Sequence, residues 1–186
     1  RNRNISYGIS KDNKGRSENF KSIKIGNQIW MAENLNLKIN GVNNCYENKD
    51  SNCKKFGQLY TWKEAIKIAN QIDGWHLPSY FEWIELIEFL GGKMSTGFNE
   101  YGDFPGIGNK LLDPNIGFNI LYSVCYYGPY GYYYGINQSS MFWSSTDIGE
   151  GYGDGETFIL EGTVFIYNTK YNGIGTTRCS VRLIKD

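Results

Sequence analysis

Apolar and polar positions alternate in short bursts along the first third of the chain. Ile5, Tyr7 and Ile9 alternate with polar residues and run into the turn-forming cluster Lys11-Asp12-Asn13-Lys14-Gly15, a pattern that predicts a hairpin. Ser22-Ile23-Lys24-Ile25 alternates again, Gly26-Asn27 interrupts it, and Gln28-Ile29-Trp30-Met31 resumes, so two strands are expected to meet at a tight turn. Five Asn and one Gly between Asn34 and Asn44 then read as loop.

The period next becomes helical. Thr61-Trp62-Lys63-Glu64 has the form of a capping box, and Trp62, Ala65, Ile66 and Ala69 fall on one face of a helix running to about Asn70. Ser79-Tyr80-Phe81-Glu82 repeats the box, with an expected apolar stripe of Phe81, Trp83, Ile84, Ile87 and Leu90 ending at Gly91-Gly92. Gly74-Trp75-His76-Leu77-Pro78 between them reads as a rigid turn. Beyond Gly92 the helical signal fades, apart from one turn around Asn109 to Leu112. Short β-like runs follow at Phe118–Tyr126, Met141–Ser145, Thr157–Leu160, Val164–Asn168 and Cys179–Ile184, with Glu161-Gly162 as a hairpin turn. The class is α+β: two helices, short antiparallel strands and a loop-rich second half.

Length and charge narrow the functional field. The 186 residues suit a single core. Nineteen Lys and Arg balance nineteen Asp and Glu, which argues against a nucleic-acid groove or a membrane-adhering basic face. No apolar run approaches the roughly 18 to 20 residues of a membrane span. The chain opens at Arg1 without a signal-type apolar segment, so it is expected to be a mature or trimmed product. Aromatics are unusually many: 5 Trp, 15 Tyr and 10 Phe.

Several blocks resemble one known family. They are Lys24 to Asn36 (Lys-Ile-Gly-Asn-Gln-Ile-Trp-Met-Ala-Glu-Asn-Leu-Asn), Phe56-Gly57-Gln58-Leu59-Tyr60-Thr61-Trp62, Gly74-Trp75-His76-Leu77-Pro78-Ser79, Phe142-Trp143-Ser144-Ser145-Thr146 and Ser180-Val181-Arg182-Leu183-Ile184-Lys185-Asp186. In this order they look like the Fibrobacter succinogenes major paralogous domain of bacterial surface proteins. The resemblance implies a C-type-lectin-like fold, similar to the formylglycine-generating enzyme domain, in one unit over 7–186 after a linker over 1–6. It also implies an exported bacterial protein at the cell surface or outside the cell, often an outer-membrane lipoprotein anchored upstream. No established activity comes with it. The chain departs from the pattern where a Cys is usual just before Gly74 and where Leu183 stands.

Cys45, Cys53, Cys125 and Cys179 make an even set, which in an exported chain points to disulfides. Cys45 and Cys53 flank a polar loop that a local bridge would pin. Cys125 and Cys179 lie in expected strands and either form a replacement bridge or remain two buried thiols. No metal site is expected, since no CxxC spacing occurs and His76 is the lone imidazole. That His is expected to be structural and bonded to backbone. No Gly-x-Ser-x-Gly elbow is present, Glu64 and Glu82 are accounted for by capping, and Cys179 has no near neighbour for formylglycine-type chemistry. The expectation is therefore no enzyme and no cofactor. Ca²⁺ at Asp147, Glu150, Asp154 and Glu156 is weakly suggested by hard oxygen ligands among glycines, but a solvated hairpin tip explains them as well.

The densest feature is Tyr126 to Gly135, with six Tyr in nine residues spaced by Gly and Pro. These rings either fill space against Trp143 and Trp75 or form a stacking surface. Tyr130, Tyr132, Tyr133, Tyr134 and Trp143 are the candidate ligand-binding residues, with a glycan or an extracellular protein as partner. A structural or assembly role without a small ligand is the alternative.

Overall fold

The computed structural model describes residues 5–11, 17–95, 103–122, 125–134, 139–147, 155–160, 164–167 and 175–186; at 5–11, 17–19, 129, 134, 155–160 and 164–167 only the backbone is described. The architecture is mixed α+β with small antiparallel sheets. Strand β1 (Ile5–Lys11) pairs with β2 (Ser17–Ile25), which pairs with β3 (Gln28–Met31) through the expected turn. The C-terminal strand β11 (Ile184–Lys185) lies between β3 and β4 (Trp75–His76), closing a five-stranded sheet. The expected rigid turn at Gly74–Pro78 is thus partly strand, because Trp75 and His76 find pairing partners in Lys185 and Ile184, more than 100 residues away in sequence. A four-stranded sheet runs in the order β5 (Asp103–Phe104), β10 (Val164–Tyr167), β9 (Gly155–Leu160), β8 (Ser140–Asp147).

The two capped helices form as the sequence predicts. In α2 (Trp62–Ala69) the Thr61 hydroxyl accepts from the Glu64 N–H while the Glu64 carboxylate accepts from the Thr61 N–H; Ser79 and Glu82 do the same for α3 (Tyr80–Phe89). Two shorter helices also form, of which the second in sequence was expected as a single turn and the first was not. α4 (Ile107–Leu112) extends the expected single turn, and α1 (Asp50–Phe56) replaces the polar loop between Cys45 and Cys53. Seven residues are too few to hold a helix alone. α1 is anchored by burial of Cys53 and Phe56, with Asp50 in its first turn and Lys54 and Lys55 in its last, the arrangement its dipole favours.

The stripe expected on α3 needs correction. Trp83, Leu86 and Ile87 are buried, whereas Phe81 is 77% exposed. At about 100° per residue Phe81 lies roughly 200° around the helix from Trp83, so one apolar face cannot hold both.

Strand alternation divides the core. Trp30, Phe142 and Ile184 face one cluster with Trp83, Leu86 and Ile87 of α3 and with α4; Met31, Met141, Trp143 and Leu183 face another with Ala65 and Ile68 of α2. The indole Nε1 of fully buried Trp143 donates to the Tyr60 carbonyl at 2.6 Å. Each such buried side chain contributes about 1.5–3 kcal/mol. The C-terminal segment stitches the halves together. Arg178 bridges Tyr126, Cys179 bridges Tyr60 and Ser180 bridges Phe142, so of the strand expected at Cys179–Ile184 the first two residues form single bridges and Ile184 alone lies in a paired strand. Of the described residues in the run expected at Phe118–Tyr126, Cys125 and Tyr126 are strand, and the strand extends one residue further to Tyr127.

Candidate binding site on the tyrosine hairpin

The tyrosine run forms a two-stranded hairpin. β6 (Cys125–Tyr127) leads through a 3-10 turn over Gly128–Tyr130 into β7 (Tyr132–Tyr134), pairing Cys125 with Tyr134, Tyr126 with Tyr133 and Tyr127 with Tyr132. Gly131 closes it at φ +67°, with its N–H donating to the Tyr127 carbonyl at 2.9 Å. Gly128 is required for another reason: a Cβ there would sit 2.5 Å from the Cβ of Thr176. The base is held by the Cys125–Cys179 disulfide and by reciprocal backbone hydrogen bonds between Tyr126 and Arg178.

Because successive strand residues point to opposite faces, the cluster is two surfaces. On the outer face Tyr127 stacks on Tyr130 with centroids 5.4 Å apart and planes 6° apart, and Tyr132 lies 5.7 Å from Tyr127 and 6.2 Å from Tyr130. Tyr130 is 73% exposed and Tyr132 50%. Partial burial, then the neighbouring Tyr130 and Tyr132 hydroxyls, push the Tyr127 pKa above its ordinary value. On the inner face Tyr126 lies 5.2 Å from Tyr133, and Tyr133 meets the Tyr46 ring edge-on at 4.9 Å. The rings thus pack on Tyr46 and on each other. Trp143 belongs to the core and presents no surface to a ligand, which removes it from the candidate list. Tyr134 is a strand residue whose side chain lies outside the described structure.

The inner face borders a cavity of about 170 Å³ whose walls include Asn44, Asn48, Leu59 and Arg178. Tyr46, Asn44 and Arg178 were not legible as site residues, since only the two disulfides and the C-terminal bridges bring them to the hairpin. Both disulfides are present, Cys45–Cys53 and Cys125–Cys179, so neither of the latter is a free thiol. Cys53 also borders a wider groove of about 550 Å³ beside Lys54, Lys55, Leu112 and Leu121.

A model of the Fibrobacter succinogenes major domain matches residues 23–185. The chain belongs to that family. No curated protein and no solved structure matches it.

Two family-like blocks of this Fibrobacter major domain meet at His76. Its Nε2 lies 2.8 Å from Glu82 Oε1 and its Nδ1 2.7 Å from Asp186 Oδ1, so the ring is held by two carboxylates and not by backbone as expected. Partial burial opposes the charge, but the Glu82 and Asp186 hydrogen bonds outweigh it and raise the His76 pKa; Glu82 is correspondingly lowered, with its burial outweighed by Ser79 and His76. Both nitrogens meet acceptors, an arrangement only the imidazolium satisfies. The result is a clamp between the start of α3 and the chain's last residue.

Among the described residues no group of three or more His, Cys, Asp or Glu side chains is placed to hold a metal ion. Of the acidic residues considered for Ca²⁺, Asp147 ends β8; Glu150 and Asp154 lie outside the described residues, as does the Glu156 side chain. No helix among the described residues is long and apolar enough to cross a membrane.

Proposed function

We propose that this domain is a binding or adhesion module exposed outside a bacterial cell, and that it recognises a glycan or an extracellular protein through the tyrosine hairpin. The observation carrying this reading is the outer face, where Tyr127, Tyr130 and Tyr132 form a stacked and largely exposed aromatic patch on a disulfide-tethered hairpin. Pre-ordered rings offer apolar faces for sugars and hydroxyls for their oxygens at little entropic cost. Two disulfides are compatible with an oxidising extracellular environment. A C-type-lectin-like fold, as the family resemblance implies, would suit this role, and lipid anchoring upstream would place it at the surface. Replacing Tyr130 and Tyr132 together by Ala is expected to abolish retention on a glycan array with little change in melting temperature. Unchanged retention would defeat the proposal.

A second reading, assembly with other chains, is favoured by Phe81 and Phe89, both largely exposed on α3. Light scattering after size exclusion, with wild type and Phe81→Ser, would show a concentration-dependent dimer if it holds.

A further inference from the structure

The inner face of the hairpin carries a feature that the aromatic patch does not use. Among the described residues the side-chain amides of Asn44 and Asn48 bond to no protein group, and Nε of Arg178 is buried without a hydrogen bond. A buried donor left without an acceptor costs about 1–3 kcal/mol, and the residue that carries it, Arg178, is among those lining a cavity of about 170 Å³. The nearest carboxylate, Glu64 Oε2, stands 3.7 Å from that Nε and already accepts the Thr61 N–H at 2.8 Å. Glu64 therefore offsets the guanidinium's charge without a hydrogen bond to its Nε. The remaining walls are buried Leu59 and Cys45 and the tyrosines Tyr126 and Tyr133, the Tyr133 hydroxyl donating to the Cys45 carbonyl at 3.5 Å.

We infer that this cavity is a second glycan subsite, on the face of the hairpin opposite the exposed patch, that takes one uncharged sugar ring. The chemistry matches group by group. Carboxamides both donate and accept, as sugar hydroxyls do, and the guanidinium supplies donors to ring or hydroxyl oxygens. Tyrosine rings and Leu59 suit the C–H face of a pyranose. The Arg178–Glu64 pairing leaves no net positive charge to attract a uronate, and Glu64 would repel one. This subsite rests on the reading of the hairpin as a glycan binder but uses different residues, so the two can fail separately.

The test screens the full chain on an array of neutral and acidic oligosaccharides and titrates each oligosaccharide retained. Wild type is expected to retain a neutral one. Asn44→Ala and Arg178→Gln should each weaken it by about tenfold or more, the size of a lost hydrogen bond to a polar or charged group. Asn44→Ala is the decisive variant if Arg178→Gln melts early, since the Asn44 side chain bonds to none of the described residues. Binding that survives Tyr130→Ala/Tyr132→Ala but not the cavity variants supports the subsite. Loss in both sets supports a ligand spanning both faces. Affinity untouched by the cavity variants overturns the subsite and leaves the patch; preference for uronate glycans overturns the uncharged ring; no retained glycan overturns the subsite and the patch as a glycan site, leaving the patch only as a protein-binding surface.

Discussion

The Asn34 carboxamide oxygen accepts from both Nε and Nη2 of Arg182, at 3.2 and 2.6 Å, and Arg182 is fully buried. Its Nη1 donates to the carbonyls of Met31 and Phe118, and the guanidinium lies 4.7 Å from the Phe118 ring centroid. Burial brings its pKa down to about 9, partly countered by Glu33, so it stays charged at neutral pH among mainly neutral acceptors. Asn34→Ala should cost about 2–3 kcal/mol in urea denaturation. The cost should fall by at least about 1.5 kcal/mol when Arg182 is already Met. Equal costs in both backgrounds would show the two residues to be uncoupled.

The two disulfides should differ in worth. Cys45–Cys53 closes a separation of 8 residues and Cys125–Cys179 one of 54. Loop entropy assigns about 2.5 kcal/mol to the first and about 4 kcal/mol to the second. Replacing the second pair by Ala should lower the melting temperature more than replacing the first, as scanning calorimetry would read. Peptide mapping without reductant should recover both pairs as linked peptides.

The His76 clamp implies a signed pH dependence. With the folded pKa raised above 6.5, the stabilisation from His76 is complete below that value and is lost as pH rises through the folded pKa. Glu82 has the opposite sense. Its folded pKa lies below 4.5, so its contribution holds above 4.5 and disappears as pH falls through the folded value. His76→Gln should therefore destabilise most between the ordinary Glu and His pKa values, about 4.5 to 6.5, and approach wild type as pH rises through the raised folded value. Since the ring is more than a third exposed, the difference should not exceed about 1 kcal/mol. A pH-independent difference would exclude the charged clamp.

The phase of α3 is tested by two substitutions. Phe81→Ala should change stability by less than about 0.5 kcal/mol, as for an exposed side chain. Trp83→Ala, whose ring packs on Trp30 at 4.6 Å and Phe142 at 5.7 Å, should cost about 3–5 kcal/mol. Comparable losses would place both rings in the core.

Local chemistry was legible where it acts within a few residues. The boxes at Thr61 and Ser79 each close within one turn, and the hairpin at Gly26 and the pairing of β9 with β10 need only strand neighbours, so short windows of sequence reveal them; the turn expected at Glu161-Gly162 lies outside the described residues. α1 escaped notice because its support is tertiary: the buried Cys53 and Phe56 look like isolated residues in a polar stretch. The pairing of Trp75 with Lys185 and the two-carboxylate clamp on His76 also join distant segments. The candidate site divides in the same way. The tyrosines were visible as a run, while Asn44, Tyr46 and Arg178 reach them only through the folded chain.

By itself the sequence determined the α+β class, the two capped helices, the family and the place where tyrosines are concentrated. The class and the helices follow from propensity, capping and period, which act over one or two turns of chain, and the family from the blocks that resemble it. Tertiary structure decided which tyrosines face outward, that Trp143 belongs to the core, and that Arg178 and Asn44 face a common cavity. Those outcomes depend on strand register and on the C-terminal segment that bridges Tyr60, Tyr126 and Phe142 in succession. A one-residue change in the hairpin's register would exchange its two faces, and no local pattern in a run of tyrosines specifies that register.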